Sequence, residues 1–386
     1  MEQVLTLVVK LQPTAEQYDL LSKTAVAFSD ACNTINKTVN AKLTNRNSIQ
    51  AVCYHDIKNQ FGLTANHVVR ACARVGANRL TAKQKGRRVK FIKPTSFDCD
   101  ARTFRYIPDV HIASISTVGK RIKVPMRVSN YHIGKLKNQN PTSAQVCLHR
   151  DKCFYVHIQI KSDVPEGKEK NNVIGVDFGR RDIAVTNTNK SWSGKDIQNK
   201  RDKFNRVRSS LQKKATQGTR STRRRARQVL QRLSGRERRY QSWLNHNISK
   251  AIVSEAKETD SMIAIEDLTG IRERTNQKRR NKTERRRSNS WAFYQLRQYI
   301  EYKGIQAGVL VIPINPCYTS QTCHVCLNIG LRSAKNFKCG NCGNKCDADL
   351  NGAKMIALKG LSVSQPRGSE LLSCSVTLGL LKASRL

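Results

Sequence analysis

The chain has 386 residues, and its 70 Lys and Arg against 28 Asp and Glu give a formal net charge of +42. Such a field repels itself in the compact state and exceeds what solubility requires, so it points to a polyanion, with nucleic acid first among polyanions. No run of about 18 apolar residues is present to span a membrane, and the opening Met1–Leu7 lacks the layout of a secretory signal.

Residues 3–12 read as one strand ending before Pro13, and Thr14 is placed to cap a helix that carries Leu20, Leu21, Ala25 and Phe28. Helical periodicity continues with gaps to about residue 84, clearest at Val68, Val69, Ala71, Val75, Ala77 and Leu80. From Phe97 to Ile160 the texture changes to short alternating runs broken by Gly, Asn and Pro, the pattern of an antiparallel sheet or small barrel. The first strand is expected to join that sheet, leaving residues 15–95 as a helical insertion.

A polar linker from Ser162 to Asn172 marks a domain boundary. Between Lys195 and Arg239 lie 17 basic residues and three acidic ones, alongside a helical stripe of Ala226, Leu230, Leu233, Tyr240, Leu244, Ala251 and Ile252. A solvent-facing helix would carry the same stripe. The density of charge at Arg223, Arg224, Arg225 and Arg227 favours a helix facing a nucleic-acid backbone. A second basic run, Arg272 to Arg287, has no apolar period and reads as a mobile loop.

Three acids stand out by position. Asp177 falls near the end of the strand Val173–Asp177, before a turn allowed by Gly179. Glu266 closes the apolar run Met262–Ile265, the signature of a buried strand. Asp349 opens a helix whose apolar face is Ala353, Ile356 and Ala357. Each has an ordinary reading when taken alone. An Asp-x-Gly hairpin also serves actin-type ATPases, a strand can end in a helix cap, and acids suit a helix N-terminus. Together, in this order, they suit a ribonuclease-H-like nuclease. Buried carboxylates need a cation among them. Two Mg²⁺ ions, hard cations that prefer oxygen donors, would meet that need and cut phosphodiesters.

Cys323, Cys326, Cys339 and Cys342 form C-x₂-C-x₁₂-C-x₂-C, the spacing of a tetrahedral thiolate zinc site. A closed four-sulfur site is structural, and His324 inside the first knuckle is not expected as a ligand. The 13 cysteines are read as reduced thiols of a cytosolic chain rather than a disulfide framework.

Gly175-Val-Asp-Phe-Gly179, Ile265-Glu-Asp-Leu268, Tyr318-Thr-Ser-Gln-Thr-Cys323, the four cysteines and Asp347-Ala-Asp-Leu-Asn-Gly-Ala353 resemble the TnpB (OrfB) proteins of bacterial insertion sequences, relatives of type V CRISPR effectors. Val8–Gln17 is also similar, and Leu327 departs from a frequent family glycine. The resemblance implies a multidomain α/β protein. A β-barrel wedge domain (1–14 and 96–165) carries a helical recognition domain (15–95). A RuvC nuclease domain (172–318 and 347–386) holds an inserted zinc ribbon (319–346).

It also implies an RNA-guided, Mg-dependent DNA endonuclease with Asp177, Glu266 and Asp349 as its catalytic triad. Its partners would be a guide RNA from the element's end and double-stranded target DNA. It would act as a monomer or weak dimer in the bacterial cytosol, near the nucleoid. The competing readings are a DNA- or RNA-binding regulator or transposase accessory without cleavage, and an actin-like ATPase. The last leaves the charge unexplained, and the chain has no His-x-His pair for strand transfer.

Overall fold

The computed structural model describes residues 2–179, 181–269, 281 and 292–364. Apart from Asn281, the basic run Arg272–Arg287 lies outside the described residues, as does the tail beyond residue 364. Two compact units divide the chain, one spanning Glu2–Asp163 and the other beginning at Val164.

In the first unit β1 (Glu2–Leu11) is followed by three helices, α1 (Ala15–Thr38), α2 (Arg46–Phe61) and α3 (Ala65–Gln84). Thr14 caps α1 in a reciprocal capping box with Gln17, as its position predicts. Six strands follow: β2 (Ser96–Asp100), β3 (Phe104–Ile107), β4 (Ile112–Ser116), β5 (Arg121–Arg127), β6 (Ser143–Leu148) and β7 (Phe154–Asp163). They pair with β1 in the order β2-β6-β7-β1-β5-β4-β3, every ladder antiparallel. The first strand thus joins the later sheet across the helical insertion.

Alternation of buried and exposed residues along β5 and β7 places one face of the sheet on the core. The short helix α4 (Asn130–Leu136) between β5 and β6 carries no periodicity and was not foreseen. On α3 the expected apolar stripe is corrected at its end. Ala77 and Leu80 are exposed, and Arg79 takes the buried position. Its guanidinium donates to the carbonyls of Ile35, Val39, Asn40 and Leu43, satisfying the orphan acceptors where α1 ends.

The second unit is built on β8 (Asn172–Asp177), β9 (Asp182–Thr186), β10 (Ser191–Ser193), β11 (Ser261–Glu266) and β12 (Val311–Ile314), in the order β10-β9-β8-β11-β12. The first three form an antiparallel meander, while β11 lies parallel to both β8 and β12. Between β10 and β11 come α5 (Lys195–Gln217), α6 (Arg220–Leu233) and α7 (Arg236–Glu258). The single stripe read from sequence is broken here, because Gly235 adopts φ +79 between α6 and α7. Ala251 is exposed, whereas Ile248, Ile252, Val253 and Ala256 are buried.

One face of the sheet buries Ile174, Val176, Ile263 and Ile265 among side chains of α7 and α8 (Phe293–Ala307). The last described helix, α9 (Ala348–Ser364), packs on β8 and β11, where Ile356 joins Ala264 and Ile314. A three-stranded antiparallel ribbon of β13 (Leu331–Ser333), β14 (Asn336–Lys338) and β15 (Lys345–Asp347) leads into α9.

Candidate active site and thiol cluster

Asp177 ends β8 and Glu266 ends β11. The parallel register pairs Ile265 with Val176, so the two acids stand side by side at the same sheet end. Helix α9 lies close over them because Gly175 has no side chain. A Cβ there would collide with the Ala353 carbonyl oxygen and the Ala357 amide nitrogen. Gly352, one turn into α9, would set a Cβ 3.1 Å from Asp177 Oδ2. Asp347 accepts hydrogen bonds from the amides of Asp349 (2.9 Å) and Leu350 (3.1 Å), so it caps α9 and fixes the turn that carries Asp349.

Burial, then the neighbouring Glu266 and Asp349 carboxylates, hold the Asp177 carboxyl well above the usual range. Burial also raises Glu266, opposed by the Thr319 hydroxyl, which donates to its Oε1 at 2.6 Å, and by Lys359 and Arg332. Burial raises Asp349 against Arg332, whose Nη2 donates to Asp349 Oδ1 at 2.7 Å. Asp177 therefore lies within the field of both other acids, and the Arg332 charge acts on all three. Among the described residues, only the four thiols form a set of three or more potential ligand atoms all within 4.8 Å of one another. The carboxylates sit more openly, with Asp349 engaged by Arg332. Oxygen donors at one sheet end, raised chiefly by burial, are of the chemistry that suits a hard divalent cation.

The thiols of Cys323, Cys326, Cys339 and Cys342 draw together from two hairpin knuckles. Cys326 and Cys339 approach to 3.4 Å and Cys323 and Cys342 to 3.6 Å. Tetrahedral zinc with 2.3 Å bonds needs about 3.8 Å between sulfurs, so the cluster fits a structural zinc. The knuckles repeat one geometry. The Cys323 amide donates to the Asn328 carbonyl and the Cys339 amide to the Asn344 carbonyl, each at 2.9 Å. His324 is turned to α9, its Nδ1 lying 2.9 Å from Asn351 Oδ1, while Asn351 Nδ2 donates to the Thr322 carbonyl at 2.7 Å. The buried Asn351 thus fastens the first knuckle to the helix bearing Asp349.

Sequence reasoning missed Arg332, Thr319 and Asn351. Thr319 and Asn351 lie inside motifs that carried the family resemblance, but nothing in composition singles out one arginine among 70 basic residues. Arg223, Arg224, Arg225 and Arg227 are exposed on α6, whose only buried side chain is Ala226. They stand on a separate element from the acids.

Residues 293–356 match the family described as Cas12f1-like, TNB domain. A TnpB-like protein of Methanocaldococcus jannaschii is 29% identical over 273 residues, covering 67% of this chain and 94% of the relative. Over these spans the chain is similar to TnpB-like and Cas12f1 proteins. A CRISPR-associated endodeoxyribonuclease Cas12f1 of Sulfoacidibacillus thermotolerans is 32% identical over 58% of this chain, but the match spans only 54% of that relative's length. In fold, the chain is similar to Cas12f1 from a Cas12f1–sgRNA–target DNA complex, with a TM-score of 0.60, 15% identity, and 88% of this chain and 81% of that one covered. Among the described residues no helix is long and apolar enough to cross a membrane.

Proposed function

We propose that this protein is an RNA-guided, magnesium-dependent DNA endonuclease that cuts at one site formed by Asp177, Glu266 and Asp349. The observation that carries the reading is the in-register pairing of β8 with β11, which sets the half-buried Asp177 and the buried Glu266 together beneath the helix that bears the third acid. The meander followed by parallel strands supports a ribonuclease-H-like nuclease domain over 172–318 and 347–386, interrupted by the zinc ribbon at 319–346. The first unit suits a wedge of residues 1–14 and 96–165 bearing a recognition insertion at 15–95.

Asp177, Glu266 and Asp349 would hold the metal. Bound there, it supplies Lewis acidity and an activated water for phosphodiester hydrolysis. The chain's own contribution is to orient and neutralise. Thr319 fixes the Glu266 carboxylate, the capped first turn of α9 fixes Asp349, and Arg332 offers positive charge near the acids, where the attacked phosphate and its leaving 3′ oxygen would gain negative charge. Support for the partners comes from the names of relatives and from the +42 charge. Arg223, Arg224, Arg225 and Arg227 suit a role on the guide or target backbone.

One observation favours the alternative of a nucleic-acid-binding regulator without cleavage: Asp349 is engaged by Arg332 rather than gathered with the other acids. Purifying the chain with its native RNA and sequencing that RNA provides the test. A discrete small RNA should direct cutting of a matched duplex in Mg²⁺ and none in EDTA. Binding of the matched duplex without cutting in Mg²⁺ would establish the regulator instead.

A further inference from the structure

A cavity of about 580 Å³ opens between the start of α5, α7, the first turn of α8 and the β9–β10 edge. Its volume is that of a small-ligand site, and its lining divides by chemistry. Ile183, Phe293 and Leu296 supply an apolar wall. Gln198, Gln241 and Asn245 supply amides, and a relay holds two of them in place: Arg201 Nη2 donates to Gln241 Oε1 at 2.6 Å, and Gln241 Nε2 donates to Asn245 Oδ1 at 2.8 Å. Arg181 and Lys195 stand exposed at the mouth, and Lys335 reaches in from the ribbon.

The cavity is linked through its lining to Asp349, the acid carried by α9. Lys335 pairs with Asp182 on its lining, and both charges act on Asp349. An apolar wall, fixed amides and a cationic mouth match, in that order, the face of a base, its edges and a phosphate. Nothing in the proposed cleavage step uses any of them.

We infer that this cavity is a nucleotide subsite, holding one unpaired nucleotide of the DNA strand whose phosphodiester lies against Asp177, Glu266 and Asp349. The inference rests on the nuclease reading for the identity of that strand. The base lies against Phe293 with Gln198 and Gln241 at its edges, and the phosphate meets Arg181, Lys195 and Lys335. Occupancy would fix the register of the strand one step from the bond to be cut.

The test uses the full chain with its zinc retained, in buffer without added Mg²⁺, so that binding is read without cleavage. A single-stranded oligothymidylate carrying 5-iodouracil is crosslinked by light, and the labelled residue is found by peptide mass spectrometry. Phe293 is the expected target, and crosslinking there should disappear in Gln198→Trp, which fills the cavity without changing charge. Affinity of that variant for the oligonucleotide should fall about tenfold with an unchanged salt dependence. Lys195→Gln, a surface change that leaves packing intact, should instead flatten the slope of log K against log salt by about 0.7.

Label confined to other aromatic residues such as Trp243 or Tyr294, or a Gln198→Trp variant that folds and binds like the parent, would overturn the inference. If Gln198→Trp fails to fold, the crosslink position and the Lys195→Gln slope decide. Crosslinking at Phe293 in a chain that never cuts DNA keeps the cavity as a single-strand site and removes the nuclease reading. Cutting without that crosslink does the reverse.

Discussion

Arg332 of the ribbon and Asp349 of α9 are joined by a 2.7 Å ion pair, although 17 residues separate them. The ribbon therefore does more than close a metal loop: it delivers a cation to the acidic end of the sheet. Arg332→Ala is expected to lower the cleavage rate about a hundredfold with little loss of DNA affinity, and Arg332→Lys to restore part of it. Single-turnover rates beside equilibrium binding check this. Equal losses in rate and affinity would mark Arg332 as a DNA contact only.

Gly175 permits the approach of α9 that positions Asp349. Gly175→Ala should destabilise the second unit by about 1–3 kcal/mol through overpacking and abolish cleavage. Gly340→Ala meets nothing within 4 Å and should leave both unchanged. Thermal melts of the two variants decide the matter.

Leu327 and Gly343 occupy equivalent places after the second cysteine of each knuckle, at φ +60 and +71. A side chain costs roughly 1–2 kcal/mol in that left-handed conformation. Leu327→Gly should slow zinc loss to a chelator, and Gly343→Ala should speed it, although a Cβ at Gly343 meets no neighbour. Zinc release followed by a colorimetric chelator measures both. Slower release from Gly343→Ala would contradict the strain account.

The cysteines were legible because ligand spacing along the chain encodes the knuckle directly. The strand ends at Asp177 and Glu266 were legible because a fully buried strand leaves an apolar run that stops abruptly at a carboxylate. Other features depend on tertiary placement. On α2 only Ile49, Cys53 and Ile57 are buried, too sparse a set to declare a face. Arg79 breaks the apolar stripe of α3 because its partners are carbonyls of α1, distant in sequence. Arg332 lies on the three-residue strand β13 and Lys335 in the turn after it, too short a stretch for periodicity, so only the fold distinguishes them from the many surface cations.

His67 is fully buried in the first unit, its ring edge-on to Phe97 at 5.7 Å, and its Nε2 has no hydrogen-bond partner. Burial pushes its pKa down to about 4 from 6.5. The unfolded chain therefore takes up a proton first as the pH falls. Stability from this group is complete above about pH 6.5 and is lost on descending to about pH 4, a change of about 3 kcal/mol. Urea midpoints of the parent and His67→Leu across that window test it: the variant should show a flatter decline, and an identical slope would exclude His67 as the cause.

Removing one buried acid should relieve repulsion when no metal is present. Because Asp177 is held above its ordinary pKa by burial and by two neighbouring carboxylates, its ionised form is disfavoured in the folded chain. Asp177→Asn is therefore expected to raise the melting temperature, measured without added Mg²⁺ and with zinc retained, by a few degrees. A lower melting temperature would mean that the carboxylate stabilises the fold through contacts of its own.

The most direct measurement compares Asp177→Ala with the parent, each carrying its co-purified RNA, for cutting and for binding of a matched duplex in Mg²⁺. The predicted result is loss of cutting with binding affinity within about twofold, since one acid hardly alters a net charge of +42. Undiminished cutting by the variant, or loss of binding in proportion to cutting, would contradict a catalytic site at the meeting of β8, β11 and α9.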